Sequence, residues 1–377
     1  MSSVEDHDTT GAASVRNRLA GIRRKRGLAA AAVARQAGVS RQTIYAIEAG
    51  TYVPNTAVAL RLARILEVPV EDLFRLDPFE PPEPRPVRAD IIGVGDLFAG
   101  SPLELCRVEG RLIGVPAMPV PWQLRPADAL LVAAAGPVVQ PLRDEDSETC
   151  LLIAGCDPAT TVLARHLQRS GVRLVTAPVN SSAALRLLKQ RLVHVAGTHL
   201  KDEGSDESNR SAIHGQFPRR GVAVFEFAVW EEGLVVARGN PKRIRRVEDL
   251  ARPGVRFVNR EAGSGSRQLL DRRLQAAGLV PKQIFGYRDE AAGHLPAAWR
   301  LYAGLADCCV ATRSAARAFG LDFVPLTSER YDLVLHREHL ELATVERLLD
   351  TLSQATIRRE LESLCGYDTR ATGRRVT

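Results

Sequence analysis

Four times along the chain an apolar run ends in a short polar corner that opens a helical repeat. This recurrence limits the fold more than any other feature. The fullest example is Asn259–Leu274. Val255–Val258 before it reads as a short buried strand, and Leu269, Leu270, Leu274 and Ala277 recur at helical spacing. Gly263-Ser264-Gly265-Ser266 is then a strand-to-helix corner, with free backbone N–H groups and two hydroxyls at a helix N-terminus, a setting that favours anions. The other corners are Cys156-Asp157-Pro158, Asn180-Ser181-Ser182 and Gly293-His294. Strand-like runs at Cys150–Ala154, Val172–Ala177, Leu192–Ala196, Asp307–Ala311, Phe323–Pro325 and Tyr331–His336 alternate with helical repeats. Ala223–Trp230 and Leu234–Arg238 read as a strand pair, and Val345, Leu348, Leu349 and Leu352 mark a final helix. The pattern predicts an α/β domain of two similar halves, with ligands bound beyond the carboxyl ends of its strands.

At 377 residues the chain has room for two or three domains. Its 45% hydrophobic and 25% charged residues describe an ordinary globular protein. No run of ~18 apolar residues suggests a membrane span, and the polar start lacks a secretory pattern. Six cysteines without metal-site spacing fit a reduced, cytoplasmic protein, with Cys308 and Cys309 as small core residues. The charge is uneven. Between Ser14 and Leu76 eleven Arg and Lys face four acids, a net +7 that equals the charge of the whole chain. Such concentration marks a nucleic-acid module joined to a neutral remainder.

Within that basic stretch, helices are expected at Val15–Arg26, Ala29–Gln36, Arg41–Glu48, Thr56–Leu66 and Val70–Leu73, with a turn at Ala37-Gly38-Val39. The run Ala37–Gly50 (Ala-Gly-Val-Ser-Arg-Gln-Thr-Ile-Tyr-Ala-Ile-Glu-Ala-Gly), followed by Val-Pro-Asn and Leu-Ala-Arg-Ile-Leu-Glu-Val, resembles the phage-repressor/Cro-like (XRE family) helix-turn-helix domain. The resemblance implies a five-helix domain whose third helix enters the major groove, usually as a dimer on a two-fold site. It makes Arg41, Gln42, Thr43 and Tyr45 the base-reading candidates. Val39, Ile44 and Ile47 become core and Glu48 structural. Ala29 and Ala30 stand where relatives carry a capping Ser/Thr and a Gln, so phosphate contacts fall to Arg23, Arg24, Lys25 or Arg61.

The expected organisation is a disordered leader (1–13), the helix-turn-helix domain (14–76), a Pro-rich linker (77–87) and a small β-rich segment (88–147). A two-lobed domain (148–367) and a tail (368–377) follow. The linker holds five prolines, and the β-rich segment, with short strands such as Leu105–Val108 and Leu112–Val115, reads as a spacer or dimer contact.

The phrases Gly-Cys-Asp-Pro, Val-Ala-Gly-Thr-His-Leu, Gly-Leu-Val-Val-Ala-Arg-Gly-Asn-Pro and Phe-Val-Asn-Arg-Glu-Ala-Gly-Ser-Gly-Ser-Arg are similar to the type II periplasmic-binding-protein-like domain of the molybdate-binding-like kind, over Cys150–Tyr367. The likeness implies a clamshell closing on a small ligand, with Asp157, Ser181, Ser182, His199, Arg260, Ser264, Ser266, Arg267 and His294 facing the cleft. Serine hydroxyls and backbone N–H groups would donate, Arg260 and Arg267 would supply charge, and His294 a pH-sensitive donor. His199 reads equally as a core histidine. Asp157 either caps its own helix, which suits an oxyanion, or faces the ligand, which suits a zwitterion.

No nucleophile elbow or ordered Cys/His set suggests catalysis. The pairs His194/His199 and His336/His339 lack a third ligand at useful spacing, so no metal is expected. The expectation is a one-component regulator, a dimer on a double-stranded DNA operator and away from membranes. A small ligand, molybdate or tungstate by resemblance, controls it, and no other cofactor is implied. The alternatives are a ligand-binding or enzymatic protein of molybdenum-cofactor or anion metabolism with the helix-turn-helix as an interaction module, or a regulator sensing a zwitterionic metabolite.

Overall fold

The computed structural model describes residues 15–76, 85–93, 97–117, 125–133, 136–142, 149–200, 209–218 and 220–376. The expected leader and most of the expected linker lie outside them. The chain divides into two compact units, Met1–Glu83 and Pro84–Thr377.

In the first unit, β1 (Val15–Asn17) precedes α1 (Leu19–Lys25), α2 (Ala30–Ala37), α3 (Arg41–Glu48), α4 (Thr56–Ile65), α5 (Val70–Leu73) and β2 (Phe74–Leu76). The sequence places Val15 in the first helix. Instead β1 pairs antiparallel with β2, Val15 opposite Leu76, and ties the two ends of the domain together. A β-branched residue gains more from that ladder than from an uncapped helix start. The helical repeat decides the rest: Leu19, Val33, Ile44, Ile47, Leu62, Leu66 and Leu73 fill one core. Ser40 and Asn55 cap α3 and α4 by accepting from Thr43 and Val58 N–H, whereas Ala29 leaves α2 without a side-chain cap. Arg23 does not fit the role of phosphate contact. Its guanidinium is buried against Glu48 (2.6 and 3.1 Å) and donates to the Leu28 carbonyl. Glu48→Ala would leave that cation buried and unpaired. The expected loss, ~3 kcal/mol from this domain's unfolding free energy, is measurable by denaturant titration.

The second unit begins with a mixed sheet of β3 (Val87–Arg88), β4 (Asp90–Ile91), β5 (Pro102–Val108), β6 (Arg111–Pro116), β7 (Ala129–Ala133) and β8 (Val138–Pro141). Its order is β3-β8-β7-β5-β6-β4, so the sheet starts inside the expected linker. It is not a free spacer. Cys106, Val108, Ile113 and Val115 share a core with Leu152, Val175, Leu185 and Leu188 of the segment that follows.

That segment runs β9 (Cys150–Gly155), α6 (Thr160–Arg169), β10 (Arg173–Pro178), α7 (Ser181–Lys189), β11 (Val195–Thr198), α8 (Arg210–His214) and β12 (Val222–Val236). It continues through β13 (Asn259–Arg260), α9 (Gly265–Ala276), β14 (Glu290–Ala291), α10 (His294–Tyr302), β15 (Cys308–Thr312), α11 (Arg313–Ala318) and β16 (Asp322–His336). It ends in α12 (Ala343–Ser353), α13 (Ala355–Ser363) and β17 (Tyr367–Asp368). The main sheet has the order β10-β9-β11-β16-β12-β15. Lobe one is β9–β11 with α6, α7, α12 and α13. Lobe two is β13–β15 with α9–α11.

Two strands join the lobes. The sequence suggests breaks at Glu231-Glu232-Gly233 and after Pro325, but β12 and β16 each run 15 residues without interruption. Their pairing extends from Val222 opposite His336 to Val236 opposite Asp322, with irregularities at Glu226/Ala228 and Glu232/Gly233. The apparent breakers are absorbed by partners: Glu231 pairs with Arg313, and Glu232 accepts from Ser266. Gly233 is needed there because a Cβ would lie 2.2 Å from the Val324 carbonyl oxygen.

Smaller differences follow the same logic. The strand expected at Val255–Val258 is a single bridge at Phe257 followed by β13. The expected tail docks: Glu226 and Gly373 exchange backbone hydrogen bonds with each other's neighbourhood, and Val376 N–H donates to the Val224 carbonyl. No helix among the described residues is long and apolar enough to cross a membrane.

Candidate functional site

Where β12 and β16 cross between the lobes, polar side chains accumulate that have no access to water. Trp230 and Glu232 come from β12, Glu329 and Tyr331 from β16, His199 from the end of β11, Arg260 from β13, Ser266 from α9 and His294 from α10. All are buried, and Cys156, just beyond β9, is partly so. The helices α7, α9 and α10 begin around this cluster, as the recurring corners predict. The lobes are in contact here. The Asn180 side chain accepts from Ala183 N–H to cap α7 and donates across to the Ala262 carbonyl at 3.2 Å.

Glycine makes the approach possible. A Cβ on Gly265 would fall 2.3 Å from the His199 carbonyl oxygen and 2.5 Å from its ring. Likewise the Tyr331 hydroxyl lies where Cβ atoms of Gly155 and Gly197 would be, at 2.2 and 1.9 Å. Trp230 packs edge-on against both histidines, with ring centroids 4.9 Å from His199 and 5.3 Å from His294, and the two imidazoles are themselves 5.6 Å apart.

His199 Nδ1 sits 2.9 Å from Glu329 Oε2 and 3.8 Å from Glu232 Oε2. Burial, then the neighbouring Glu329 charge, pushes the Glu232 carboxyl up to about 8. Burial pulls His199 down, but its interactions with Cys156 and Glu232 outweigh that and leave it raised. His294 is held well below the usual imidazole range by burial, then by the positive charges of Arg260 and His199. Arg260 is bidentate to Glu261 at 2.9 and 3.1 Å and donates to Ser266 Oγ at 3.3 Å. Several buried polar atoms in the cluster have no hydrogen-bond partner, among them His199 Nε2, Glu232 Oε2 and His294 Nδ1. Such atoms are costly to bury unless a ligand takes them up.

Of the nine residues nominated from sequence, Ser181, His199, Arg260, Ser266 and His294 meet in this cluster. The Ser181 hydroxyl accepts from His199 N–H. Ser182 is half-buried and lies beside Gly263 at the lobe contact. The Ser264 hydroxyl caps α9 and donates to the Glu261 carbonyl. Asp157 is held just before α6: its Oδ1 accepts from Ala159 N–H and the Tyr367 hydroxyl, both at 2.7 Å, while its Oδ2 is buried without a partner. Burial nevertheless raises it to about 6, against those two hydrogen bonds. Arg267 is not in the cluster. Its guanidinium stacks 4.2 Å from the Tyr287 ring centroid, bonds to its (i, i+4) carboxylate Asp271 and to Glu290, and donates to the Arg260 carbonyl at 3.1 Å.

Sequence reasoning missed Cys156, Trp230, Glu232, Glu329 and Tyr331. A signal existed, since Trp-Glu-Glu-Gly inside a long apolar run is out of place in a buried strand.

In the first unit Arg41, Gln42 and Tyr45 are exposed on α3, Arg24 and Lys25 at the end of α1, and Arg61 on α4. Arg41 donates to the Tyr45 hydroxyl at 2.8 and 3.0 Å and stacks on its ring. Thr43 is half-buried and engaged with the Ser40 cap. Arg61 donates to the Ala37 carbonyl at the end of α2.

Comparisons with known proteins agree with this division. Residues 15–76 match the family model described as a helix-turn-helix domain, and residues 164–353 match the PBP superfamily domain. The uncharacterized protein YvgK of Bacillus subtilis (strain 168) is 30% identical over 235 residues, 61% of this chain and 75% of its own length. The uncharacterized HTH-type transcriptional regulator MJ0272 of Methanocaldococcus jannaschii is 40% identical over 60 residues, 16% of this chain and 91% of its own. Among solved structures, the tungstate ABC transporter from Geobacter sulfurreducens overlays with a TM-score of 0.44 at 15% identity, covering 58% of this chain and 100% of that one. The chain belongs to the PBP superfamily, with a transcriptional-regulator helix-turn-helix domain fused ahead of its two-lobed ligand-binding-type domain.

Proposed function

We propose that the protein is a one-component transcriptional regulator whose sequence-specific DNA binding is governed by a small ligand held between the lobes. The observation that carries this reading is the buried cluster at the β12/β16 crossing, with unpartnered polar atoms, in a chain that also presents a reading helix. α3 enters the major groove of a two-fold operator as part of a dimer, with Arg41 and Gln42 as the principal base contacts. Arg24, Lys25 and Arg61 hold phosphates. Coupling requires that the ligand bind one lobe arrangement better than another.

A tetrahedral oxyanion of the molybdate or tungstate kind is the ligand class we favour. Supporting it are Arg260, the protonated Glu232 and the beginnings of α7, α9 and α10, while the Asp157 carboxylate is committed to Ala159 and Tyr367. A second reading, an amine-bearing metabolite, is favoured by Glu329 beside His199.

The experiment selects DNA sites from a random pool with the wild-type chain and measures their affinity at fixed salt, with and without molybdate, tungstate, sulfate, phosphate and amino acids. The double variant Arg41→Ala/Gln42→Ala should bind the selected site about 100-fold more weakly, since each bidentate base contact is worth ~1–3 kcal/mol. The thermal shift given by the ligand should be unchanged. Selection of no sequence, or equal affinity for the double variant, would remove the DNA reading. Turnover of any ligand would favour an enzyme.

A further inference from the structure

Three ligand-type side chains from distant parts of the chain meet at the crossing, and no sequence spacing announces them. Cys156 follows β9, His199 follows β11, and His294 opens α10. One donor atom from each lies within 4.8 Å of the others, and Cys156 Sγ is 3.9 Å from His294 Nε2. Zinc-type bonds of ~2.0–2.3 Å place tetrahedral ligands roughly 3.3–3.8 Å apart. Closing the three around an ion therefore needs shifts of about an ångström or less.

Orientation says more than proximity. His199 points Nδ1 at Glu329 Oε2 (2.9 Å), and its Nε2 is fully buried with no hydrogen-bond partner. A carboxylate on one ring nitrogen and a buried, unpartnered nitrogen on the other is the arrangement that metal-bound histidines take, because the carboxylate fixes the ring and raises ligand basicity. His294 is also wholly buried, with Nε2 toward the thiol. The alternative purpose for these three, a hydrogen-bonded core network, is not met, since a network of this kind would leave no buried ring nitrogen unpaired.

We propose that Cys156, His199 and His294 form a three-ligand site for a divalent transition metal of zinc or cobalt type, with Glu329 orienting His199 and a fourth position open in the cleft. Binding releases the thiol proton of Cys156 and the proton that the raised His199 carries on Nε2, so the ion is held by a thiolate and two neutral imidazoles. A thiolate with two imidazoles selects a borderline-soft ion over magnesium or calcium. The open position lies beside Arg260 and Ser266, so an anionic ligand entering the cleft would complete the metal's coordination. The inference rests on the reading of the cleft as the ligand site, and it is independent of whether the chain binds DNA.

The test uses the full chain stripped with a chelator and titrated with Co²⁺, then Zn²⁺, without DNA. One Co²⁺ per chain should bind with a thiolate-to-cobalt charge-transfer band, and Zn²⁺ should displace it. Cys156→Ser should abolish the band and weaken Zn²⁺ by at least about 100-fold, and His294→Gln should do likewise. Glu329→Gln should weaken it by ~10–100-fold. His214→Gln, at an exposed position away from the site, should change nothing. X-ray absorption of the zinc-loaded wild type should find one sulfur and two imidazole ligands, a readout that needs no variant. Failure to bind, nitrogen and oxygen ligands only, or binding that survives Cys156→Ser but is lost in His339→Gln (the cluster with Glu109 and Glu338) would overturn the proposal. Any of these results would leave the DNA-binding measurement untouched.

Discussion

Gly265→Ala is expected to force the two lobes apart. The new methyl would lie 2.3 Å from the His199 carbonyl oxygen, 2.5 Å from Cε1 and 2.6 Å from Nδ1. None of these atoms can step aside. The carbonyl is backbone at the end of β11, and the ring is held by Glu329 and wedged against Trp230. Relief must come from moving α9, and with it lobe two. Overpacking of this kind costs ~1–3 kcal/mol and sometimes more. The variant should therefore melt earlier, show a larger radius of gyration by solution scattering, and lose cleft-dependent thermal shifts. Gly278→Ala is the matched control. That glycine ends α9 at φ +67 with nothing within 4 Å of its would-be Cβ, so its cost is the left-handed backbone alone, ~1–2 kcal/mol. Equal scattering and equal ligand response in the wild type and Gly265→Ala would mean that the lobes do not meet through this corner.

The second large effect is on pH dependence. In the folded, metal-free domain Glu232 sits at about 8, raised by burial and then by Glu329, against an ordinary value near 4.5. The folded state then holds a proton that the unfolded chain releases, so this group's stabilisation is full below about pH 4.5 and is lost as pH rises through 8. His194 opposes it at lower pH. Burial lowers it to about 4, so stability is lost as pH falls from 6.5 to 4, and His294 acts with the same sign. Above pH 6.5 these histidines are neutral in both states, and Glu232 dominates together with the raised His199. Each pH unit in that window is worth ~1.4 kcal/mol. Between pH 6.5 and 8 Glu232 alone should take ~2 kcal/mol from the second unit, with His199 adding to it, and the melting temperature should fall by at least roughly 5 °C. Glu232→Gln, neutral at every pH, should flatten most of that slope in chelated protein. A wild-type profile already flat from 6.5 to 8 would show that Glu232 is ionised in the fold.

Local chemistry made a large part of this molecule legible in advance. α3 and α5 occupy the ranges their caps and periodicity indicate, and α2 and α4 are displaced by one residue at most at each end. The signals are local because a helix satisfies its own backbone within four residues. The corners at Ser181, Ser264 and His294 were also readable, since a Gly/Ser/Asn cluster after a strand-like run is a helix start whatever surrounds it.

Only the tertiary structure decided the rest. Glu231-Glu232-Gly233 looks like a turn in isolation and is strand in the protein, because Arg313 and Ser266 take up the charges from elements far along the chain. Arg23 looks like a phosphate contact and is a buried partner of Glu48. Asp157 leaves two orientations open in the sequence, and the packing of Tyr367 against it chooses the cap. Cys156, His199 and His294 are 43 and 95 residues apart, so no motif could join them. The sequence by itself determined the class of each domain, a basic helix-turn-helix followed by an α/β clamshell, because class follows from periodicity and charge. Which side chains face one another at the crossing was settled by the path of β12 and β16 between the lobes, a property of long-range pairing that no local window contains.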